Sequence, residues 1–357
     1  MLPNINDFLK RELYFMNLDW QVFLERQHAQ LEEGVAMHFG NLQDELLATQ
    51  NNTVLCDLSQ LGVLKVSGED ARSFLQNMFS SDVGEVTPQL AQISSLNTAK
   101  GRMLATFLIW QSDSDYYLNL PRALCAGIHK RLSMYILRSR VRIEEASDAV
   151  ICLGLSGERA TALVQQHFGS APSKRFLVEQ HDNANVIQLD VQRYQINTTP
   201  HHAPALWKNL VSHSRAVGSS CWDWLNIRSG IPVILAATQE QFVPQMANLE
   251  LIGGVNFKKG CYPGQEIVAR MQYLGKSKRR MYLAHVNGNT QAGEPLFSAE
   301  VDGQICGMVS NAAPAPGGGH DLLAIIQISS HDTQSVHIGS LQGEALQFLP
   351  LPYEIPA

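Results

Sequence analysis

The chain lacks most of the motifs that carry familiar chemistry. No run of about 18 apolar residues occurs, so the sequence contains no obvious membrane-spanning helix. The six cysteines are widely scattered without a CxxC pair, which argues against a disulfide scaffold, a zinc ribbon and a self-ligated iron–sulfur cluster. The HExxH, GxSxG and phosphate-binding-loop patterns are also missing. The common hydrolase, kinase and metalloenzyme classes are therefore disfavoured.

The chain also lacks an excess of positive charge. It has 27 Lys and Arg against 33 Asp and Glu, a net charge of −6. No global attraction to nucleic acid follows, so any such contact has to be local. The first residues, Met1 to Asp19, mix acidic with apolar side chains and contain no apolar segment of the signal-peptide type. Together with the cysteine pattern, this predicts a cytoplasmic protein.

An internal repeat is the first positive feature. The segment from Val66 to Gln76 reappears from Leu155 to Gln165, and in each copy a strand pattern leads through Ser-Gly into a helix pattern. The flanking segments are rich in β-branched and aromatic residues. The repeat therefore predicts an α+β fold with two related units side by side, although strand–turn–helix units can share such residues by chance.

These patterns suggest three regions. Residues 1–50 look like a helical N-terminal extension, in which Met16 is a candidate true start and residues 1–15 are dispensable. Residues 51–279 are expected to form the two interleaved α+β units. From about 280 to 357, short β-type segments alternate with Gly, Pro and Asn clusters, which predicts a small C-terminal β-barrel or sandwich.

The strongest chemical signal lies at residues 258–266, which read Lys-Lys-Gly-Cys-Tyr-Pro-Gly-Gln-Glu. Pro263 suits the first position of a helix, which would place Cys261 just before the N-terminus and Glu266 near the first turn. The positive end of the helix and the adjacent lysines would both favour a thiolate. The alternative is a buried structural cysteine at a sharp turn.

Two neighbouring segments also suggest a binding site. Trp222 could provide a platform for a flat heterocycle, whereas Trp224 is expected in the core; both tryptophans could also be core residues. Gln245, Asn248 and Glu250 could line a polar pocket or merely cap a short helix.

A basic cluster follows the cysteine segment. It could be solvated surface charge or a local contact with RNA phosphates. The cluster consists of Lys276, Lys278, Arg279 and Arg280.

The segment 257–270 resembles the hallmark of the YgfZ family of folate-binding, GcvT-like proteins. Its usual form is K-G-C-Y-T-G-Q-E, so Pro263 stands where threonine is common. Further similarities cover the chain from about residue 16 to residue 357. They lie at residues 67–76, 100–102, 230–232, 242–249 and 351–353.

The resemblance implies a three-lobed aminomethyltransferase-like fold with two ferredoxin-like α+β units, a C-terminal β-barrel and a central pocket for tetrahydrofolate. It also implies a role in tRNA modification and in maintaining iron–sulfur enzymes, particularly those that thiolate tRNA. The expected reactive residues are Cys261, Lys259 and Glu266. The expected folate-binding residues are Trp222, Asn248, Gln245, Tyr262 and Arg270. No metal site is expected.

Two departures from the related patterns bear on the activity. The glycine-cleavage aminomethyltransferases carry an Asp-Asp pair after a Lys-Gly turn, and here Ala105 and Thr106 follow the corresponding Lys100-Gly101. Neither side chain can act as a carboxylate base. A second folate-associated tryptophan of the family would fall near Leu61, where this chain has no aromatic residue.

Three functions therefore remain, and whether the protein is an enzyme stays open. The first is a folate-binding accessory protein that supports iron–sulfur enzymes through Cys261. The second is a folate-dependent one-carbon transferase or demethylase, which lacks its carboxylates. The third is a non-catalytic RNA-binding adaptor, which the negative net charge disfavours.

Overall fold

The computed structural model describes residues 16–356 apart from 274, 276, 302, 303 and 334, and it shows the predicted mixed α+β architecture. Within these residues, three larger sheets and one hairpin carry the helices on their faces. No described helix combines the length and apolar character needed to cross a membrane. The prediction that residues 1–15 are a dispensable extension lies outside the described residues.

The N-terminal region is not helical throughout, which corrects the prediction for residues 16–50. Its elements are α1 (Leu18–Arg26), β1 (Gln30–Glu32), β2 (Val35–His38) and α2 (Leu42–Asn51). Glu33 and Gly34 both have positive φ, at 49° and 74°, and this tight turn folds β1 back onto β2. The buried Trp20 indole donates a 2.8 Å hydrogen bond to Asp57, so α1 belongs to the core.

The first of the two α+β units contains an antiparallel sheet with strand order β5-β6-β7-β4-β8. Its strands are β4 (Leu61–Ser67), β5 (Gln92–Asn97), β6 (Met103–Ser112), β7 (Asp115–Pro121) and β8 (Arg142–Glu145). Its helices are α3 (Ala71–Gln76) and α4 (Arg122–Ser133). Eight consecutive residues of β6 are buried, which identifies it as a central strand.

The second unit contains a six-stranded sheet with the order β10-β11-β12-β9-β3-β13. Its strands are β3 (Val54–Asp57), β9 (Ile151–Ser156), β10 (Val178–His181), β11 (Ala184–Asp190), β12 (Arg193–Thr198) and β13 (Arg215–Val217). Its helices are α5 (Ala160–Phe168), α6 (Ala203–Val211) and α7 (Ser219–Arg228). Because β3 precedes the whole first sheet in the chain, the two sheets interleave.

The repeated segments form equivalent structures, as predicted. In each copy a strand ends at Ser, a glycine in the left-handed region turns the chain, and a helix begins three residues after that glycine. A Cβ at Gly68 would lie 2.1 Å from the Arg140 carbonyl oxygen, and one at Gly157 would lie 2.3 Å from that of Asn52. The glycines therefore allow a neighbouring segment to approach closely as well as permitting the turn.

The C-terminal unit is a curled six-stranded sheet, a half-barrel in the place of the expected β-barrel, with the order β18-β15-β16-β17-β14-β19. The preceding helix is α8 (Gln265–Tyr273), and α9 (Ile328–Asp332) follows β17. The strands are β14 (Arg279–Val286), β15 (Pro295–Phe297), β16 (Ile305–Pro314), β17 (His320–Gln327), β18 (His337–Ile338) and β19 (Gln347–Leu349).

One buried carboxylate joins the C-terminal sheet to α7. Asp321 on β17 accepts hydrogen bonds of 2.8 Å from the Trp224 indole and from the His285 ring, and Arg228 lies 3.5 Å from it. Trp224 is therefore a core residue, as predicted from the sequence, and its indole orients the C-terminal unit against the helix that also carries Trp222.

Candidate functional site

A half-open cavity lies between the two α+β units, with about 580 Å³ of empty space if the open solvent at its mouth is counted. Strands β6 and β7 supply one side, β11 and β12 the other, and α7 with the following loop closes it. The lining side chains are mostly apolar, and the polar ones are Thr106, Asn119, Gln195 and Asn226. A mostly apolar cavity with a few fixed polar groups is the usual form of a small-molecule site.

Trp222 on α7 contributes to this wall. Its ring packs against Gly154, where a Cβ would lie 2.5 Å from the indole, and the Arg193 guanidinium lies 4.3 Å from the ring centroid. Only 2% of Trp222 is exposed, so the ring presents a limited part of its surface to the cavity. The position near Leu61, where the YgfZ family has a second tryptophan and this chain has none, belongs to the same cavity, because Leu61 also lines it.

Arg193 is a buried cation that the sequence analysis did not single out. It is 3% exposed, and burial lowers the pKa of its guanidinium to about 10. The guanidinium donates to the Leu225 carbonyl at 3.3 Å, to the Ser229 hydroxyl at 3.1 Å and to Asn226 Oδ1. Arg193 therefore fixes the last turn of α7 and stacks against Trp222. Alternating polar and apolar residues in β12 would suggest a solvent-exposed arginine, whereas all six residues of this strand are buried.

Three amide side chains give the cavity its polar character. Because Arg193 occupies Asn226 Oδ1, the Asn226 amide group is left to donate. Gln195 donates to Asn197 at 2.8 Å, which leaves the Gln195 carbonyl oxygen as an acceptor. Asn119 donates to the Gly62 carbonyl at 3.1 Å and holds β4 beside β7. The wall thus offers both hydrogen-bond donors and acceptors to a ligand.

The position expected to carry a carboxylate is occupied by a structural threonine. Thr106 lines the cavity, but its hydroxyl donates to the Pro232 carbonyl and accepts from the Ile234 amide, both at 3.0 Å. Ala105 is fully buried. No ionisable side chain is among the described residues that line the cavity.

The loop after α7 is braced from the C-terminus. Gly230 has a φ of +62°, and its carbonyl accepts a 2.8 Å hydrogen bond from the Tyr353 hydroxyl. A Cβ at Gly230 would lie 2.7 Å from the Tyr353 ring. Residues 230–232 and 351–353, two of the segments that resemble the YgfZ family, therefore support one wall of the cavity.

The Cys261 thiol lies exposed in the loop that precedes α8, whereas the other five cysteines are buried. The helix begins at Gln265, so Pro263 lies in the turn before it and not at the first helical position. Gly264 immediately precedes the helix. Its φ of +80° is a conformation that glycine can adopt and proline cannot. Glu266 is in the first turn, as predicted, and its side chain is exposed.

Lys259 holds this loop in place. Its ammonium donates to the carbonyl oxygens of Gln76, Phe79 and Ser81 at 2.6, 2.6 and 2.8 Å. Burial lowers the pKa of Lys259 to about 8, while the nearby Asp82 acts in the opposite direction. The ammonium form therefore prevails at pH 7, and all three of its N–H donors are directed at backbone carbonyls.

Two more of the predicted folate residues lie around the same loop. Tyr262 is 6% exposed, burial raises the pKa of its phenol to about 12, and the Lys259 ammonium lies 5.3 Å from its ring centroid. Arg270 lies on α8 with an exposed side chain. Neither residue lines the Trp222 cavity.

Gln245 and Asn248 are buried and bind the backbone of neighbouring elements. Gln245 donates to the Val268 carbonyl of α8 at 2.6 Å, and Asn248 donates to the Met281 carbonyl of β14 at 2.7 Å. Arg280 donates to the Gln245 carbonyl at 2.7 Å and forms an ion pair with Glu250. These polar residues therefore connect elements and are not brought into the wall around Trp222.

The loop that carries Cys261, residues 258–264, is called the cysteine loop. This loop and the cavity contact neighbouring parts of the chain, namely the turn before β6 and β6 itself. A Cβ at Gly264 would lie 2.4 Å from the Thr98 carbonyl oxygen and 2.6 Å from Gly101 Cα, so the loop packs on the turn that leads into β6. Thr106 in the cavity wall is on this same strand. Five residues of extended strand correspond to roughly 17 Å. The structure thus brings the loop and the cavity close without merging them.

No group of three or more His, Cys, Asp and Glu side chains suited to hold a metal ion occurs in the described part of the chain. Of the predicted basic cluster, Lys276 lies outside the described residues, Arg280 is paired with Glu250, and Lys278 is exposed.

Comparisons with known proteins identify the fold class of this chain. Residues 14–259 match the family model described as the GCVT N-terminal domain. The glycine cleavage system aminomethyltransferase T from Bartonella henselae superimposes with a TM-score of 0.77 over 95% of this chain and 98% of that one, at 17% sequence identity. The protein therefore has the GcvT-like aminomethyltransferase fold.

Sequence comparison narrows this class to one family. The tRNA-modifying protein YgfZ of Colwellia psychrerythraea is 33% identical over 257 residues, which is 71% of this chain and 77% of that protein. The YgfZ protein of Photobacterium profundum is 33% identical over 68% of this chain and 74% of its own length. That of Escherichia coli is 28% identical over 84% of this chain and 93% of its own length. The chain belongs to the YgfZ family.

Proposed function

We propose that this protein binds tetrahydrofolate in the Trp222 cavity and supports tRNA modification in the cytoplasm through Cys261. Its clients would be iron–sulfur enzymes, including those that thiolate tRNA. The GcvT-like fold and the relatives named as tRNA-modifying proteins support the general role. The cavity and the exposed thiol suggest how the chain's own residues serve it.

The composition of the cavity wall suits a pterin. A pterin is flat and carries both donors and acceptors on its edge, and the wall offers apolar surface, the Asn226 donor and the Gln195 acceptor. Leu61, Trp222 and Asn226 would hold the ring system. When bound, tetrahydrofolate supplies a reduced ring that can carry a one-carbon unit or give up electrons.

The main argument for a binding role is that the described cavity wall contains no ionisable side chain. Aminomethyl transfer needs a group that can move a proton near the reacting nitrogen. Thr106 cannot do this, because its hydroxyl is engaged with the backbone at residues 232 and 234. A binding role is therefore favoured over a one-carbon transferase or demethylase.

Cys261 is the thiol suited to act on another protein. Burial raises the pKa of Cys125 and Cys221 to about 12, and those thiols are enclosed in the core. Cys261 by contrast is exposed on a loop anchored by Lys259. An exposed thiol on a fixed loop can undergo thiol exchange with a partner protein or transiently ligate the partner's iron–sulfur cluster. Glu266 and Arg270 lie exposed on the adjoining helix and would contact that partner.

Calorimetric titration with tetrahydrofolate tests the ligand. We expect saturable binding by the wild type and at least about tenfold weaker binding by Trp222→Ala, because the ring contact is lost. Trp110→Phe is the control, since Trp110 is equally buried but does not line this cavity. Equal affinity of Trp222→Ala and wild type would exclude this cavity as the folate site.

Complementation tests the thiol separately. In a strain from which the gene is deleted, Cys261→Ala should fail to restore tRNA thiolation, whereas Cys152→Ala, at a buried position on β9, should restore it. Full restoration by Cys261→Ala would remove the proposed role of the thiol and leave the folate site untouched.

A further inference from the structure

A second basic segment, distinct from the one noted in the sequence analysis, lies at the end of α4. Residues 130–142 contain five basic residues and no acidic one, in a chain whose net charge is −6. These residues are Lys130, Arg131, Arg138, Arg140 and Arg142. Arg131 is half-buried and the other four are exposed. We call residues 130–142 the basic segment.

Exposed apolar side chains accompany this charge. Met134, Tyr135 and Leu137 are 60%, 45% and 88% exposed, and they account for three of the ten large apolar residues that are exposed in the described chain. Leu137 also has a φ of +47°, which costs a non-glycine residue about 1 kcal/mol. Burial of apolar surface within the protein therefore does not explain this arrangement.

Intramolecular pairing leaves much of the charge available. Arg140 pairs with Glu69 and Asp70, and Arg142 lies 2.8 Å from Glu144. These pairs are exposed and correspondingly weak. Lys130 and Arg138 form no ion pair with any described residue. The negative end of α4 accounts for Lys130 and Arg131 in its last turn, but it does not account for Arg138.

The helix α3 connects the basic segment to the cysteine loop. At its N-terminal end, Asp70 accepts a 2.8 Å hydrogen bond from the Arg140 amide. At its C-terminal end, the Gln76 carbonyl accepts from Lys259. A helix of six residues is about 9 Å long. The basic segment and the loop that carries Cys261 therefore lie near opposite ends of one short helix.

We propose that the basic segment binds RNA directly, with Lys130, Arg138, Arg140 and Arg142 on phosphates and Tyr135 stacked on an unpaired base. Arginine and an exposed aromatic ring are the combination that single-stranded RNA selects. An acidic protein partner could use the same charges and the same tyrosine. RNA is favoured because the relatives of this chain are named as tRNA-modifying proteins. This inference extends the proposed function by naming RNA as a direct partner, and it does not depend on folate binding.

Fluorescence anisotropy with a labelled, unmodified tRNA transcript tests the proposal. Lys130→Glu/Arg138→Glu should weaken binding about tenfold or more at ~100 mM salt and reduce the slope of log K against log salt by about 1–2. The matched control is Arg159→Glu/Lys208→Glu, which makes the same change in net charge at two exposed residues of the second α+β unit. Tyr135→Ala should weaken binding about fivefold or more, and Tyr273→Ala, which removes another exposed tyrosine, should not.

Each other outcome overturns the proposal. If both charge reversals weaken binding equally, net charge and not this segment governs the contact. If wild type binds no tRNA while Lys130→Glu/Arg138→Glu fails in complementation, the surface belongs to an acidic protein partner. Tetrahydrofolate titration of the same variant should match wild type. A loss of RNA binding can then be separated from a failure of the folate site.

Discussion

Three backbone carbonyls surround the Lys259 ammonium, so this lysine fastens the cysteine loop to the segment that follows α3. The sequence suggested that the lysine tunes Cys261 through its charge. The geometry adds a positional role, because the ammonium directs its three protons away from solvent. The adjacent Lys258 is exposed and makes no such contacts among the described residues.

Replacing Lys259 with methionine removes both the anchoring hydrogen bonds and the charge, and the reactivity of Cys261 distinguishes the two roles, because loss of the charge alone would slow its reaction. Lys259→Met should lower the free energy of unfolding by about 2 kcal/mol, because three carbonyls lose their donor. It should also speed the reaction of Cys261 with a thiol reagent, because the loop is released. Urea denaturation and labelling kinetics measure the two effects. Lys258→Met is the control and should change stability by less than about 0.5 kcal/mol; equal effects of the two substitutions would refute the anchoring role.

At the scale of elements, α8 depends on a close contact between two turns. Gly264 and Gly101 face each other, and the space that a Cβ would need at Gly264 is filled by the Thr98 carbonyl oxygen at 2.4 Å. Gly264 also has a φ of +80°, which favours glycine. The turn before β6 therefore sets where α8 begins and where the cysteine loop lies.

Gly264→Ala should lower the free energy of unfolding by about 2 kcal/mol, since it adds both backbone strain and a clash with backbone. It should also impair complementation by displacing Cys261. Gly260→Ala in the same loop is the control, because no atom lies within 4 Å of the added Cβ. Thermal denaturation measures the difference. A Gly264→Ala protein as stable as Gly260→Ala would show that the contact between the turns does not matter.

At the scale of the whole molecule, Asp321 couples the C-terminal half-barrel to the cavity. It accepts from Trp224 and His285 and lies near Arg228, so one carboxylate fixes α7 against β14 and β17. Since α7 also carries Trp222 and Asn226, the half-barrel helps to position the cavity wall from a distance.

Asp321→Ala should therefore lower the free energy of unfolding by about 3 kcal/mol, because it leaves a buried indole donor and two basic groups without their acceptor. It should also weaken tetrahydrofolate binding, although Asp321 does not line the cavity. Urea denaturation and calorimetry measure the two effects. Asp332→Ala removes a carboxylate that is 70% exposed and serves as the control. Unchanged folate affinity in a destabilised Asp321→Ala protein would rule out the coupling.

Local patterns were enough to predict many of the elements. The repeated segments at residues 66–76 and 155–165 form the predicted strand end, Ser-Gly turn and helix, and strands β14 to β19 lie in the C-terminal region that was predicted to hold short strands. The hairpin at residues 30–38 was missed because apolar residues among charges also fit a helix. The start of α8 was misplaced because Pro263 is acceptable both in a turn and at a helix start.

The amino-acid sequence alone shows which chemistry is available: an unusual cysteine segment, a tryptophan beside a Gly-Ile-Pro turn, and no carboxylate at residues 105 and 106. Which side chains contact each other depends on the fold. Gln245 and Asn248 bind the backbone of α8 and β14, Lys259 closes on three carbonyls, and Arg193 becomes the partner of Trp222. The reason is physical, since buried polar groups must find partners, and residues distant in sequence supply those partners.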